Sequence, residues 1–220
     1  MTHPVNTAEP VTLAGVPLHQ YRHVCAFFST EAEELRTVVP FSRDGLERGE
    51  RVVHVMPRRR RDHEDHLRAA ALDVDRARRD HQFVLLTSED AYQHNGRFDQ
   101  DAMLELIQEV LQQGQAMGFR LTRLVAHAEH VLADMRGAED FIAYESRLNS
   151  VLPGYPDVVV CTYDVAEITA RAALDVVRTH PMAIVGGVLH ENPFFVPPTA
   201  LLEEARNRPA RDGRPDDLHA

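Results

Sequence analysis

The sequence predicts a three-layer α/β domain, a mainly parallel sheet with helices on both faces. Two observations predict it. Six short runs rich in β-branched and aromatic residues alternate along the chain with segments of helical periodicity. Those runs are apolar throughout, without the in-out alternation of a half-exposed sheet, which is the pattern of parallel strands covered on both sides.

The elements follow in order. Val24 to Phe28 is the first strand. Thr30 and Glu33 have the spacing of a capping box, so a helix starts there and runs to about Arg48 before Gly49, burying Leu35, Val38, Val39, Phe41 and Leu46. Val52 to Met56 is the second strand, closed by Pro57. A charged helix from about Asp62 to Ala71 leads to the third strand, Phe83 to Leu86. Tyr92 to Phe98 is a loop with Asn95-Gly96 as its turn signal. The next helix, about Asp99 to Met117, carries Met103, Leu104, Ile107, Val110 and Leu111 on one face and ends at Gly118. Leu121 to Ala126 is the fourth strand, Ala138 to Leu152 a helix, Val158 to Thr162 the fifth strand. A helix from about Glu167 to Thr179 stops before Pro181, and Ala183 to Val185 is the sixth strand, ahead of Gly186-Gly187. Residues 1–20 read as a flexible segment, 21–197 as the folded domain and 198–220 as a polar, mobile tail.

Composition excludes several functions. Of 220 residues, 24 are basic and 34 acidic, for a formal charge of −10, and every basic residue is arginine. Without lysine there is no Schiff-base amine and no Walker A ammonium. The acidic balance argues against a nucleic-acid surface. No apolar run approaches the ~18 residues of a membrane span, and Met1 to Val11 has no signal-peptide pattern. Two distant cysteines give no disulfide framework, so a cytoplasmic setting is expected.

The carboxyl ends of the strands are where open α/β sheets bind ligands. After the first strand a nucleotide-binding protein places glycines and a lysine around phosphate. Here the segment is Ser29-Thr30-Glu31-Ala32-Glu33-Glu34, whose three carboxylates would repel one. The most suggestive polar group is His127-Ala128-Glu129-His130, after the fourth strand. If the segment is extended, His127 and Glu129 share a side and suit metal ligation or proton transfer, with His54 or Cys25 as a further ligand. Chance clustering among thirteen histidines is the plainer account. Cys25 and Cys161 read as buried small hydrophobes. No serine sits in a nucleophile elbow. Arg58 to Arg61, followed by Asp62, Glu64 and Asp65, reads as a solvated helix start. Two aromatic-bearing loops, Asp90 to Phe98 with Tyr92, and His190 to Phe195, either wall a small apolar pocket or simply cover the sheet edge.

Taken in order, several segments resemble the MEDS domain, the sensory domain named for methanogens, methylotrophs and the dichloromethane-responsive regulator. They are His23 to Phe28, Val38-Val39-Pro40-Phe41 through Gly45-Leu46 and Gly49-Glu50, and Asp90-Ala91-Tyr92 with Gly96-Arg97-Phe98-Asp99. Tyr144-Glu145 with Arg147-Leu148-Asn149, Cys161-Thr162-Tyr163-Asp164, Arg178-Thr179-His180-Pro181, Gly186-Gly187 and Asn192-Pro193-Phe194 complete the set. One departure is that Ala128-Glu129-His130 and Val131-Leu132 stand where members often show Gly-Glu-Met and then a Trp.

The resemblance implies a RecA-like or KaiC-like fold without a working phosphate loop and a signal-input role for small hydrocarbon derivatives. Together these readings give a non-enzymatic sensory or regulatory domain that binds a small, largely apolar ligand near Glu129, Tyr92, Tyr163, Phe194 and His127. No catalytic residue and no cofactor is expected. The output would be a separate regulatory protein, an anti-sigma factor, a kinase or a DNA-binding regulator. Two alternatives stand beside it, a metal-binding protein or enzyme using His127, Glu129 and His130, and a ligand-independent interaction module.

Overall fold

The computed structural model describes residues 10–57, 63–87, 93–94, 97–133 and 138–207. Arg58 to Arg61, Tyr92, the Asn95-Gly96 turn and residues 208–220 lie outside that set. In chain order the strands are β1 (Val11–Leu13), β2 (Val16–Leu18), β3 (His23–Phe28), β4 (Arg51–Met56), β5 (Phe83–Thr87), β6 (Gln93–His94), β7 (Arg97–Phe98), β8 (Thr122–His127), β9 (Val158–Asp164), β10 (Met182–Val185) and β11 (Val188–Glu191). The helices are α1 (Glu31–Glu47), α2 (His63–Ala69), α3 (Val74–Arg79), α4 (Gln100–Ala116), α5 (Glu129–Ala133), α6 (Ala138–Val151), α7 (Ala170–Val177) and α8 (Pro198–Asn207).

The main sheet has the order β11-β10-β3-β9-β8-β4-β5. All neighbours are parallel except β11, which folds back on β10. The fully buried runs that signalled parallel strands are buried at every position in β3, β4 and β8. One sheet face, carrying Cys25, Phe27, Val53, Leu124, Val159, Cys161 and Tyr163, packs against α4, α5, α6 and α7. The other packs Val24, Val52, Val125 and Val160 against Val38 and Phe41 of α1, the β1–β2 hairpin, and Leu67 and Val74 of α2 and α3. Two layers of helix thus enclose the sheet, as the continuous apolar runs require. Among the described residues no helix is long and apolar enough to cross a membrane.

Gly45 marks the tightest contact on the α1 side. A Cβ there would lie 2.7 Å from Arg123 Cδ and 3.1 Å from Val52 Cγ2. The space belongs to Arg123, a fully buried arginine of β8. Its Nε donates to Glu50 at 2.6 Å, its Nη1 donates to the Phe41 carbonyl at 2.8 Å, and its guanidinium lies 4.9 Å from the Phe41 ring centroid. Asp44 and Arg120 complete the network around this pair.

Three expectations change. Residues 11–18 do not belong to a flexible segment: β1 and β2 form a hairpin whose Val11, Leu13 and Leu18 are buried in the α1-side core. Its turn uses Ala14 at φ 48° and Gly15 at φ 76°, the primed-turn geometry that matches strand twist. Residues 198–207 do not belong to a polar tail. They form α8, where Pro198 opens the helix, Leu201 is buried and Glu204 pairs with Arg178. The strand expected to end the sheet at Val185 turns through Gly186 and Gly187, both at positive φ, into β11.

Candidate functional site

Two buried polar clusters occupy opposite faces of the sheet. The first fills the carboxyl edge beside α1. The loop after β3 closes as a capping box: Glu33 N donates to Thr30 Oγ1 at 3.2 Å and Ser29 N donates to Glu33 Oε2 at 3.0 Å. Glu34, next in the helix, is turned inward and buried, with its Oε1 3.1 Å from His127 Nε2 at the end of β8. Behind them Ser42 Oγ lies 2.9 Å from His54 Nε2, His54 Nδ1 lies 2.6 Å from His63 Nε2, and the His63 ring centroid stands 6.0 Å from that of His127. Burial, then the neighbouring His63, holds the His54 imidazole well below its ordinary value, so it is the neutral ring that bridges Ser42 and His63. Phosphate-binding α/β proteins seat their anion at the strand-to-helix turn. In this chain the first turn there is committed to its own cap, and a carboxylate paired with histidine stands behind it.

The second cluster lies between the opposite sheet face and α6. His23 opens β3, Cys161 sits in mid-β9, Glu145 projects from α6 and His180 precedes β10; all four are buried. Glu145 Oε2 is 3.1 Å from His23 Nε2 and 3.3 Å from His180 Nε2. Cys161 Sγ is 3.7 Å from both His23 Nε2 and Glu145 Oε2, and Tyr163 donates its hydroxyl proton to Glu145 Oε1 at 3.2 Å. Burial pushes the Glu145 carboxyl up, but His180 and His23 beside it outweigh burial and hold it below the usual carboxylate range. Burial, followed by the proximity of His180, holds the His23 imidazole below its ordinary value despite the carboxylate. Burial, reinforced by Glu145, pushes the Cys161 thiol well up, and does the same to Cys25.

An aromatic layer lies on this same face toward the carboxyl edge. Phe27 stacks on Tyr163 with centroids 5.5 Å apart, and Phe98, Phe141 and Tyr144 meet edge-on or tilted at 5.3–5.8 Å. A separate open groove of about 640 Å³ lies between the β1–β2 turn, α1 and Gly186-Gly187. It lies apart from the buried histidines of both clusters, and Glu33, Arg36 and Asp44 line it beside Ala14, Pro40 and Phe41.

The expected site residues separate. His127 and Glu129 do not extend along one side of a strand, because β8 ends at His127 and Glu129 is already the first residue of α5. His127 meets Glu34 and His63; Glu129 is buried and His130 half-buried on α5. His54 faces α1, whereas Cys25 faces the other way and donates to the Met182 carbonyl at 3.6 Å. Tyr163 is buried, within the second cluster. Phe194 does not wall a pocket: it is 69% exposed. Asn192 turns inward instead, donating to the carbonyls of Val177 and His180 while its Oδ1 accepts from Phe194 N. Tyr92 lies outside the described residues. His23, Glu145, Cys161 and His180 were not singled out as a site from sequence, since one residue from each of three elements and a connecting loop leaves no local spacing to read.

The parallel sheet covered on both faces, with the turn after β3 closed by a capping box, makes this an α/β domain that lacks the glycine-rich turn of nucleotide binders. The family described as MEDS, MEthanogen/methylotroph, DcmR Sensory domain, matches residues 22–181, and the chain belongs to it. Its curated relatives include the transcriptional repressor DcmR of Methylorubrum extorquens (strain DSM 6343 / CIP 106787 / DM4), 26% identical over 186 residues that cover 80% of this chain. The chain spans 64% of the length of that repressor. Among solved structures it is similar to the KaiC-like protein PH0186 of Pyrococcus horikoshii OT3, with a TM-score of 0.52, 16% identity, and coverage of 77% of this chain and 71% of that one. The fold is therefore KaiC-like, as the family resemblance implied.

Proposed function

We propose that this domain is a regulatory input module that binds a small, largely apolar organic molecule and passes its occupancy to an output protein or module. The observation that carries the reading is the closed carboxyl edge beside α1, where Glu34 and His127 occupy the ground a nucleotide phosphate would need. It agrees with membership of a sensory family. The position assigned to the ligand in this reading is the buried aromatic layer of Phe98, Phe141, Tyr144 and Tyr163, whose rings would have to part to admit it, with buried Glu129 as the orienting polar group. A ligand can shift the output only by binding two states of the domain unequally. That difference would be read by a DNA-binding, kinase or anti-sigma protein.

Thermal unfolding with short halogenated and methylated compounds, against MgATP as the comparison, tests this reading. A ligand at ten times its Kd stabilises by about 1.4 kcal/mol, which for a chain of this size raises Tm by about 3–6 °C. Phe141→Ala should abolish that increment in protein that still unfolds cooperatively. Stabilisation by MgATP with none from the organic compounds at millimolar concentration refutes the proposal.

A further inference from the structure

We propose that His23, Glu145, Cys161 and His180 form a closed site for a divalent transition-metal ion of the zinc class. The ligand-capable atoms of these four side chains all lie within 4.8 Å of one another. A tetrahedral ion with nitrogen and oxygen ligands at about 2.0–2.1 Å and sulfur at about 2.3 Å sets its ligand atoms roughly 3.3–3.6 Å apart. The measured separations are 3.1 and 3.3 Å from Glu145 Oε2 to the two imidazole nitrogens, and 3.7 Å from Cys161 Sγ to His23 Nε2 and to Glu145 Oε2. Imidazole, thiolate and carboxylate together are a donor set of borderline softness, which suits zinc better than magnesium or calcium.

The hydrogen bonds around the cluster fix the direction of its lone pairs. The Asn149 amide nitrogen donates to the carbonyls of Thr179, Glu145 and Ser146, so its Oδ1 is left to face His23 Nδ1 at 3.0 Å and must accept from it. Thr179 Oγ1 spends its proton on the Val176 carbonyl at 2.8 Å, and His180 Nδ1 lies 3.0 Å from that same carbonyl and 2.8 Å from Thr179 Oγ1, which is left to accept. A carbonyl only accepts, so His180 also carries its proton on Nδ1. Each Nε2 then faces one carboxylate oxygen, itself an acceptor, at 3.1 and 3.3 Å. A shared proton or a metal cation must lie between them, and the four-sided donor set with its tetrahedral spacing points to the metal. Partners on the outer ring nitrogen are also the arrangement that orients metal-binding histidines. When the ion enters, the thiol proton of Cys161, and any proton shared by the imidazoles and Glu145, leaves to solvent. Side chains at most 2% exposed leave no open coordination position, so the site is structural, tying α6 and the approach to β10 to the centre of the sheet.

The test uses the full chain without an affinity tag, stripped by a chelator and titrated with cobalt(II) or zinc(II). One equivalent of cobalt should bind with the strong visible bands of a tetrahedral ion and a thiolate charge-transfer band. Cys161→Ser should remove that band. Asn149→Ala, which acts by positioning His23, should raise the zinc Kd about 10- to 100-fold, while exposed His190→Ala should leave it unchanged. Folded wild-type protein that takes up neither ion at micromolar concentration overturns the proposal and leaves a cluster held by protons alone. So does bound cobalt without a thiolate band, or a band that survives Cys161→Ser. The wild-type spectrum is decisive even if a buried-site variant fails to fold.

Discussion

Replacing Gly45 by alanine sets two known effects against each other. In an exposed helix interior the change would favour folding by about 1 kcal/mol. In α1 the added methyl would lie 2.7 Å from Arg123 Cδ and 2.9 Å from Nε, too close for either to stay. Arg123 cannot give way cheaply, because its Nε bond to Glu50, its bond to the Phe41 carbonyl and its place against the Phe41 ring are all fully buried. Breaking a buried ion pair costs about 3–5 kcal/mol. Partial retention of Asp44 and Arg120 around the pair, together with the helix gain, brings the expected net loss to about 2–3 kcal/mol. For a domain of this length that lowers Tm by about 4–12 °C. Urea unfolding followed by circular dichroism measures it, and an Arg123→Met background isolates the cause. With the guanidinium gone, Gly45→Ala should cost about 1 kcal/mol or less. An unchanged or raised urea midpoint in the single variant, or an equal loss in both backgrounds, would refute the steric argument.

Two further outcomes follow from burial and backbone geometry. Asp157, which accepts from Thr122 N, has its carboxyl pushed up to about 6 by burial, against the pull of that hydrogen bond and of Arg22. The native state therefore holds a proton between pH 4 and 6 that the unfolded chain has released, and this group's contribution to stability falls as pH rises through that window. Asp157→Asn should flatten that slope and stabilise by on the order of 1–2 kcal/mol at pH 7, read from urea midpoints across pH; an unchanged slope argues against it. Ala14 holds φ 48° ahead of Gly15, so Ala14→Asn should give the favoured Asn-Gly turn and about 0.5–1 kcal/mol. A lower Tm would show that the turn does not limit the hairpin.

Strands covered on both faces announce themselves as apolar runs, and β3, β4, β5, β8, β9 and β10 were legible for that reason. So was the capping box at Thr30 and Glu33. The β1–β2 hairpin was not, since three-residue strands show no period and Ala-Gly is a weak turn signal. Gly186-Gly187 did mark a turn, and β11 could have been read from it. At the carboxyl edge the acidic turn after β3 was visible, but not the pairing of Glu34 with His127, which only the crossover brings together. The cluster of His23, Glu145, Cys161 and His180 was fragmented across three elements and a loop. Its members nevertheless fall inside the segments that carry the family resemblance, as do Asn149 and Tyr163, and that coincidence was the available signal.

The place of β3 in the sheet also sets an order of events during synthesis. Its only neighbours are β9 and β10, and Cys161 follows His23 by 138 residues. At roughly 5–20 residues per second, the ribosome leaves the first long strand without an in-sheet neighbour for about 7–28 s. Throughout that interval six residues with unpaired in-sheet backbone groups, five of them apolar, must be sheltered by α1, the hairpin or a chaperone. An interior strand of the finished sheet is thus also the one whose exposure a stalled or shortened chain could not relieve.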